Sequence, residues 1–88
     1  MKVKYEFAVR EIAGEIILVP LGMAALKFSG MITVNDVGAF LWECLQSDVT
    51  IEELQKRVMD EFDVDEETAR QDTFEFVEKI KKLNLLSE

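Results

Sequence analysis

Gly30-Met31-Ile32-Thr33-Val34-Asn35-Asp36-Val37-Gly38-Ala39-Phe40-Leu41-Trp42 decides the fold. Its first part is extended in character, with Ile32, Thr33 and Val34 β-branched in a row. Asn35 then offers a side-chain oxygen to the orphan N–H groups of a first helical turn. The stretch reads as a strand that runs directly into a helix, with strands upstream of it and helices downstream.

Upstream, Glu6 to Ile12 and Glu15 to Val19 are rich in β-branched and apolar residues and flank Ala13-Gly14, where glycine takes positive φ at no steric cost. That is a hairpin. Pro20 lacks a backbone donor and closes the second strand. Leu21 to Gly30 is expected to be a connection holding a short extended piece at Ala25 to Phe28.

Downstream, Asn35, Thr50 and Asp65 are helix N-caps, and Thr50 with Glu53 makes a capping box. An apolar residue precedes each cap and another follows it five positions on: Val34 with Ala39, Val49 with Leu54, Val64 with Ala69. Apolar spacing gives each helix a stripe to bury. Val37, Phe40, Leu41, Cys44 and Leu45 form the first, and Ile51, Leu54, Val58 and Phe62 the second. Ala69, Thr73, Phe76, Val77, Ile80 and Leu83 form the third, and Leu85 and Leu86 close the base. Trp42 and Phe74 each fall roughly 120° from the centre of their stripe, at about 100° per residue, and need another reason to be there.

The predicted fold class is α+β, winged helix-turn-helix-like: an N-terminal three-stranded antiparallel β-sheet over about residues 6–34, then a three-helix bundle over about 36–46, 51–62 and 66–83. A chain of 88 residues that is 49% apolar has room for one core and one domain, 1–88. Its longest apolar run, Ile16 to Met23, is broken by Pro20 and Gly22 and falls short of the roughly 20 residues that span a bilayer. No apolar segment of a signal peptide follows the charged start, so the expected compartment is cytoplasmic.

Several chemistries are excluded by composition. There are no histidines, which removes the commonest general base and metal ligand. The lone Cys44 sits among apolar neighbours and reads as a buried small hydrophobe. The acidic run from Asp60 to Glu67 fails the calcium-loop test: counting from Asp63, Thr68 stands where glycine turns the loop and Phe74 where a bidentate glutamate is required. No phosphate-loop pattern is present. No catalytic residue, metal or cofactor is therefore expected. A net charge of −8 opposes binding to nucleic-acid phosphates or anionic membranes.

What survives is one flank of the last helix. Arg70, Phe74, Val77 and Lys81 fall in a narrow sector beside its core stripe, an apolar pair with a cation at each end. Were that flank to border an unpaired strand, the two would form a groove in which an extended peptide adds to the sheet. The third strand, which leads into the helices, is the natural candidate.

The series Arg10-Glu11-Ile12-Ala13-Gly14-Glu15, Leu18-Val19-Pro20 and Gly30 to Trp42 resembles the coenzyme PQQ synthesis protein D (PqqD-like) family. So do Thr50-Ile51-Glu52-Glu53-Leu54, Phe62-Asp63-Val64-Asp65 and the closing Phe76-Val77-Glu78-Lys79-Ile80 to Leu85-Leu86. The resemblance implies a RiPP precursor recognition element: a non-catalytic adaptor that binds the leader peptide of a ribosomally made precursor and presents it to a modifying enzyme, often a radical SAM enzyme. It implies leader binding by strand addition to Met31, Ile32, Thr33 and Val34, against a helical wall of Arg70, Phe74, Val77 and Lys81. It does not choose between PQQ and another product. An acidic winged-helix transcriptional regulator and a structural interaction subunit, with Trp42 and Phe74 on its contact surface, remain alternatives, and the sequence leaves oligomeric state open.

Overall fold

The hairpin, the strand-to-helix switch and the capped helices appear in a computed structural model that describes residues 1–87. The elements are β1 (Lys2–Val3), β2 (Phe7–Ile12), β3 (Glu15–Pro20), α1 (Met23–Lys27), β4 (Ile32–Val34), α2 (Asp36–Cys44), α3 (Ile51–Phe62), α4 (Glu66–Lys82) and β5 (Leu86–Ser87). β2, β3 and β4 form an antiparallel sheet in that order. The hairpin turn has both central residues at positive φ, Ala13 at 53° and Gly14 at 82°, the backbone that matches the right-handed twist of paired strands.

Each of the three longer helices starts on its local cap. Asn35 Oδ1 accepts from the Gly38 N–H at 2.8 Å and Asp65 Oδ1 from the Thr68 N–H at 2.8 Å. Thr50 and Glu53 exchange two hydrogen bonds of 3.1 Å. These bonds satisfy donors that have no partner inside the helix. They also tie stability to pH. Hydrogen bonds from Thr68 hold the Asp65 carboxyl below its ordinary range, and the Thr50 backbone N–H and hydroxyl do the same for Glu53. A depressed folded-state pKa means stability that is complete above the unfolded value and lost as pH falls through the folded one. Urea unfolding at pH 7 and pH 3 checks this: Asp65→Asn, which keeps an accepting oxygen but cannot titrate, is expected to lose less stability on acidification than the wild type.

Two parts of the fold depart from the expectations. Leu21 to Gly30 carries a helical turn, α1, in place of an extended piece at Ala25 to Phe28. Met-Ala-Ala-Leu-Lys is a run of strong helix formers, and the turn drops Ala24 into the core with no exposure. β1 and β5 form a second, two-stranded sheet that pairs Lys2 with Ser87 and Val3 with Leu86. Val3 also donates to the Leu45 carbonyl and Lys4 to the Leu85 carbonyl, both at 3.0 Å, so the two ends of the described chain are stitched to the helices.

The core joins Leu18 from the sheet to Leu41, Leu45, Leu54, Val58, Ile80 and Leu85, all without exposure. Trp42 belongs to it. It is 1% exposed, and its ring meets Phe7 edge to face at 5.2 Å. This corrects the reading of Trp42 as a contact surface: α2 is covered by the other helices on one side and by the β2–β3 hairpin on the other, so its buried face is wider than one stripe. Leu83, placed in the third stripe, is instead exposed at the end of α4.

Thr73 is fully buried, and its hydroxyl has no hydrogen-bond partner. A buried hydroxyl left unpaired costs about 1–3 kcal/mol. Thr73→Val, which keeps the shape and removes the polar atom, is expected to raise stability by about 1 kcal/mol in chemical denaturation. Among residues 1–87, no helix is long and apolar enough to cross a membrane.

Candidate functional site

β4 is paired on one side only. β3 lies between β2 and β4, with Ile16 opposite Val34, Ile17 opposite Thr33 and Leu18 opposite Ile32. In an antiparallel strand the N–H and C=O of one residue point to the same side, and successive residues alternate. The Thr33 carbonyl accepts a hydrogen bond from the Lys79 ammonium of α4 at 3.2 Å. The backbone groups of Thr33 therefore face the open edge, while those of Ile32 and Val34 face β3. Ile32 and Val34 pack their side chains against the core, and Met31 and Thr33 are exposed.

Between this edge and α4 runs an open cleft of about 430 Å³. Val34, Gly38 and Phe76 form its apolar floor, and Thr33, Asp72, Glu75 and Lys79 its polar rim. Gly38 is what lets the three layers meet there. A Cβ at this position would stand 3.1 Å from Val34 Cβ and 3.2 Å from the Phe76 ring, a tight contact that would push β4 or the Phe76 ring back by a few tenths of an ångström, so glycine gives α2 its closest start against β4 and α4. Extended backbone, an open edge and an apolar floor with charges on its rim are what main-chain pairing plus side-chain selection requires.

The sequence-derived wall falls elsewhere. Val77 is 6% exposed and belongs to the core. Arg70 and Phe74 line a second cavity, of about 550 Å³, against Ile51 and Gln55 of α3. Lys81 is exposed and borders neither cavity. The α4 residues that face β4 are Asp72, Glu75, Phe76 and Lys79, on the opposite flank of the same stripe. A stripe has two flanks, and helical spacing treats them alike; the side on which the sheet lies decides between them. Asp72 and Lys79 stand four residues before and three after Phe76, a spacing that the other flank offers equally, so no signal in the chain singled them out.

Phe74 remains notable, as a phenylalanine 49% exposed. With Glu75, Glu78, Lys79, Lys82 and Leu83 it borders a third hollow along the outer face of α4. Glu75 borders all three hollows and stands between the cleft beside β4 and the faces of α4 that carry Phe74 and Arg70. Among the described residues, no cluster of three or more aspartate, glutamate or cysteine side chains is arranged to hold a metal ion.

An α+β domain with a small antiparallel sheet open at one edge and a cleft between that edge and its last long helix is the class that this fold and site define. The fold is similar to that of TbiB1, solved in complex with the TbiA(beta) leader peptide, with a TM-score of 0.69 at 23% identity over 99% of this chain and 95% of that one. The chain belongs to the coenzyme PQQ synthesis protein D (PqqD) family, whose sequence profile matches residues 8–86. No curated protein matches it.

Proposed function

We propose that this domain is a non-catalytic peptide adaptor that takes up the leader segment of a ribosomally made precursor as an added strand beside β4, and presents the rest of the precursor to a modifying enzyme, a radical SAM enzyme being the expected partner. The observation that carries the reading is the unpaired β4 edge, with the backbone groups of Thr33 turned into a cleft floored by Val34 and Phe76. Family membership and the likeness to a protein solved with a leader peptide support the same reading.

In this reading the Met31 to Val34 edge supplies main-chain pairing through the outward-facing backbone groups of Thr33, and alternate leader side chains enter the cleft over Phe76. A strand advances about 3.3 Å per residue, so a few leader residues cover the edge. Arg70, Phe74 and Lys81 are reached only by a leader that continues past Glu75 around α4. Phe74→Ala then weakens binding of a long leader and leaves a short one unaffected.

Isothermal titration with the synthetic leader of a short precursor reading frame neighbouring this gene tests the proposal. Saturable one-to-one binding is expected. Absence of heat with a folded sample, repeated by fluorescence anisotropy on a labelled leader, would count decisively against it.

A further inference from the structure

The β4 edge is open to strands but is not bare. Lys79 reaches across the cleft, and its ammonium donates to the carbonyl of Thr33 at 3.2 Å. Because the backbone of Thr33 faces outward, that carbonyl is the acceptor an incoming strand would use for its own N–H. Among the described residues Lys79 forms no salt bridge, although Asp72 and Glu75 share the rim with it. Its charge is spent on the edge.

Resting on the peptide-adaptor reading above, we propose that Lys79 is a displaceable cap: it covers the free edge of β4 in the unloaded domain and must be released before a leader strand pairs with Thr33. Exposed edge strands invite pairing with other chains, and a lysine placed on the edge is one of the devices that prevent it. Here the lysine comes from a neighbouring helix and reaches the edge through a flexible stem, so side-chain rotation alone removes it. A second resting place lies beside it. Lys79 also borders the outer hollow of α4, where Glu75 stands four residues before it, the spacing at which opposite charges on a helix meet. Release from Thr33 thus moves the ammonium from a carbonyl to a carboxylate on its own helix, and the edge opens with little movement of the backbone.

The cap predicts that removing the charge improves binding. Lys79→Met keeps most of the apolar stem and loses the donor, whereas Lys79→Arg keeps a donor. Two measurements decide the matter. In the free protein, the carbonyl carbon resonance of Thr33 should shift in Lys79→Met and stay closer to wild type in Lys79→Arg, because a hydrogen bond to a carbonyl changes its shielding. In titration with the same synthetic leader, Lys79→Met should bind about 3- to 10-fold more tightly than wild type, the scale of one exposed charge-assisted hydrogen bond. An unmoved Thr33 resonance in Lys79→Met overturns the cap. A moved resonance with unchanged or weaker leader binding also overturns it, making Lys79 a contact for the leader. If no variant binds the leader, the adaptor reading fails and displacement by a leader fails with it, while the Thr33 resonance still reports whether the lysine covers the edge. Lys79→Gln serves as a second neutral variant if the methionine form folds poorly.

Discussion

Thr33→Pro is expected to abolish leader binding, by about 100-fold or more, in a domain that still folds. The backbone N–H and carbonyl of Thr33 face the open edge and take no part in the ladder with β3. Proline is tolerated in a sheet at such positions, on an edge strand with the N–H side facing outward. Its demand that the preceding residue be extended is met by Ile32, already in β4. The substitution removes one donor from the edge and sets ring atoms where the proposed added strand would lie. Loss of a main-chain hydrogen bond at roughly 1 kcal/mol, together with the clash, accounts for about 3 kcal/mol, or about two decades in Kd. Thr33→Val leaves the backbone as it is and should bind nearly as well as wild type. Titration with the leader, with circular dichroism to show retained structure, is the measurement. Wild-type affinity in Thr33→Pro would place the peptide somewhere other than this edge.

The largest effect on stability is expected from Trp42→Ala. The side chain is 1% exposed and lies in the core where α2 meets Phe7 of the hairpin. Truncating a buried tryptophan costs about 3–5 kcal/mol, transfer and cavity terms together. A chain of 88 residues has about 4–13 kcal/mol in all at about 0.05–0.15 kcal/mol per residue, so about a quarter or more of the margin goes. At about 4–8 °C per kcal/mol, thermal unfolding should move down by about 12–40 °C, followed by circular dichroism because the only tryptophan is the one removed. Trp42→Phe, which keeps an aromatic edge toward Phe7, should lose much less. A fall of only a few degrees in Trp42→Ala would return Trp42 to the surface role that its helical position had implied.

The two experiments separate fold from function. Trp42 holds the sheet against the helices, so its loss is read as a fall in stability of the whole domain. Thr33 faces the cleft from an edge that the fold does not need, so its substitution touches binding alone. Gly38 stands between the two roles, since the space it leaves admits Val34 and Phe76 to the floor of the site.

The chain by itself determined whatever depends on neighbours a few residues apart. Asn35, Thr50 and Asp65 start their helices because each meets an N–H three residues on. Ala13-Gly14 turns the hairpin, and the strand at Ile32 to Val34 ends where Asn35 begins a helix. The strand that borders the candidate site was legible for the same reason, whereas its open edge follows from the sheet order β2-β3-β4. What only the tertiary structure decided is how surfaces far apart in sequence meet. Trp42 is buried because the hairpin returns to cover α2. The β1–β5 pair joins residues more than eighty positions apart through two-residue strands too short to leave a pattern. The wall of the cleft is Asp72, Phe76 and Lys79 in place of Arg70, Phe74 and Lys81 because the sheet lies on one side of α4, and nothing in the periodicity of a helix tells its two flanks apart.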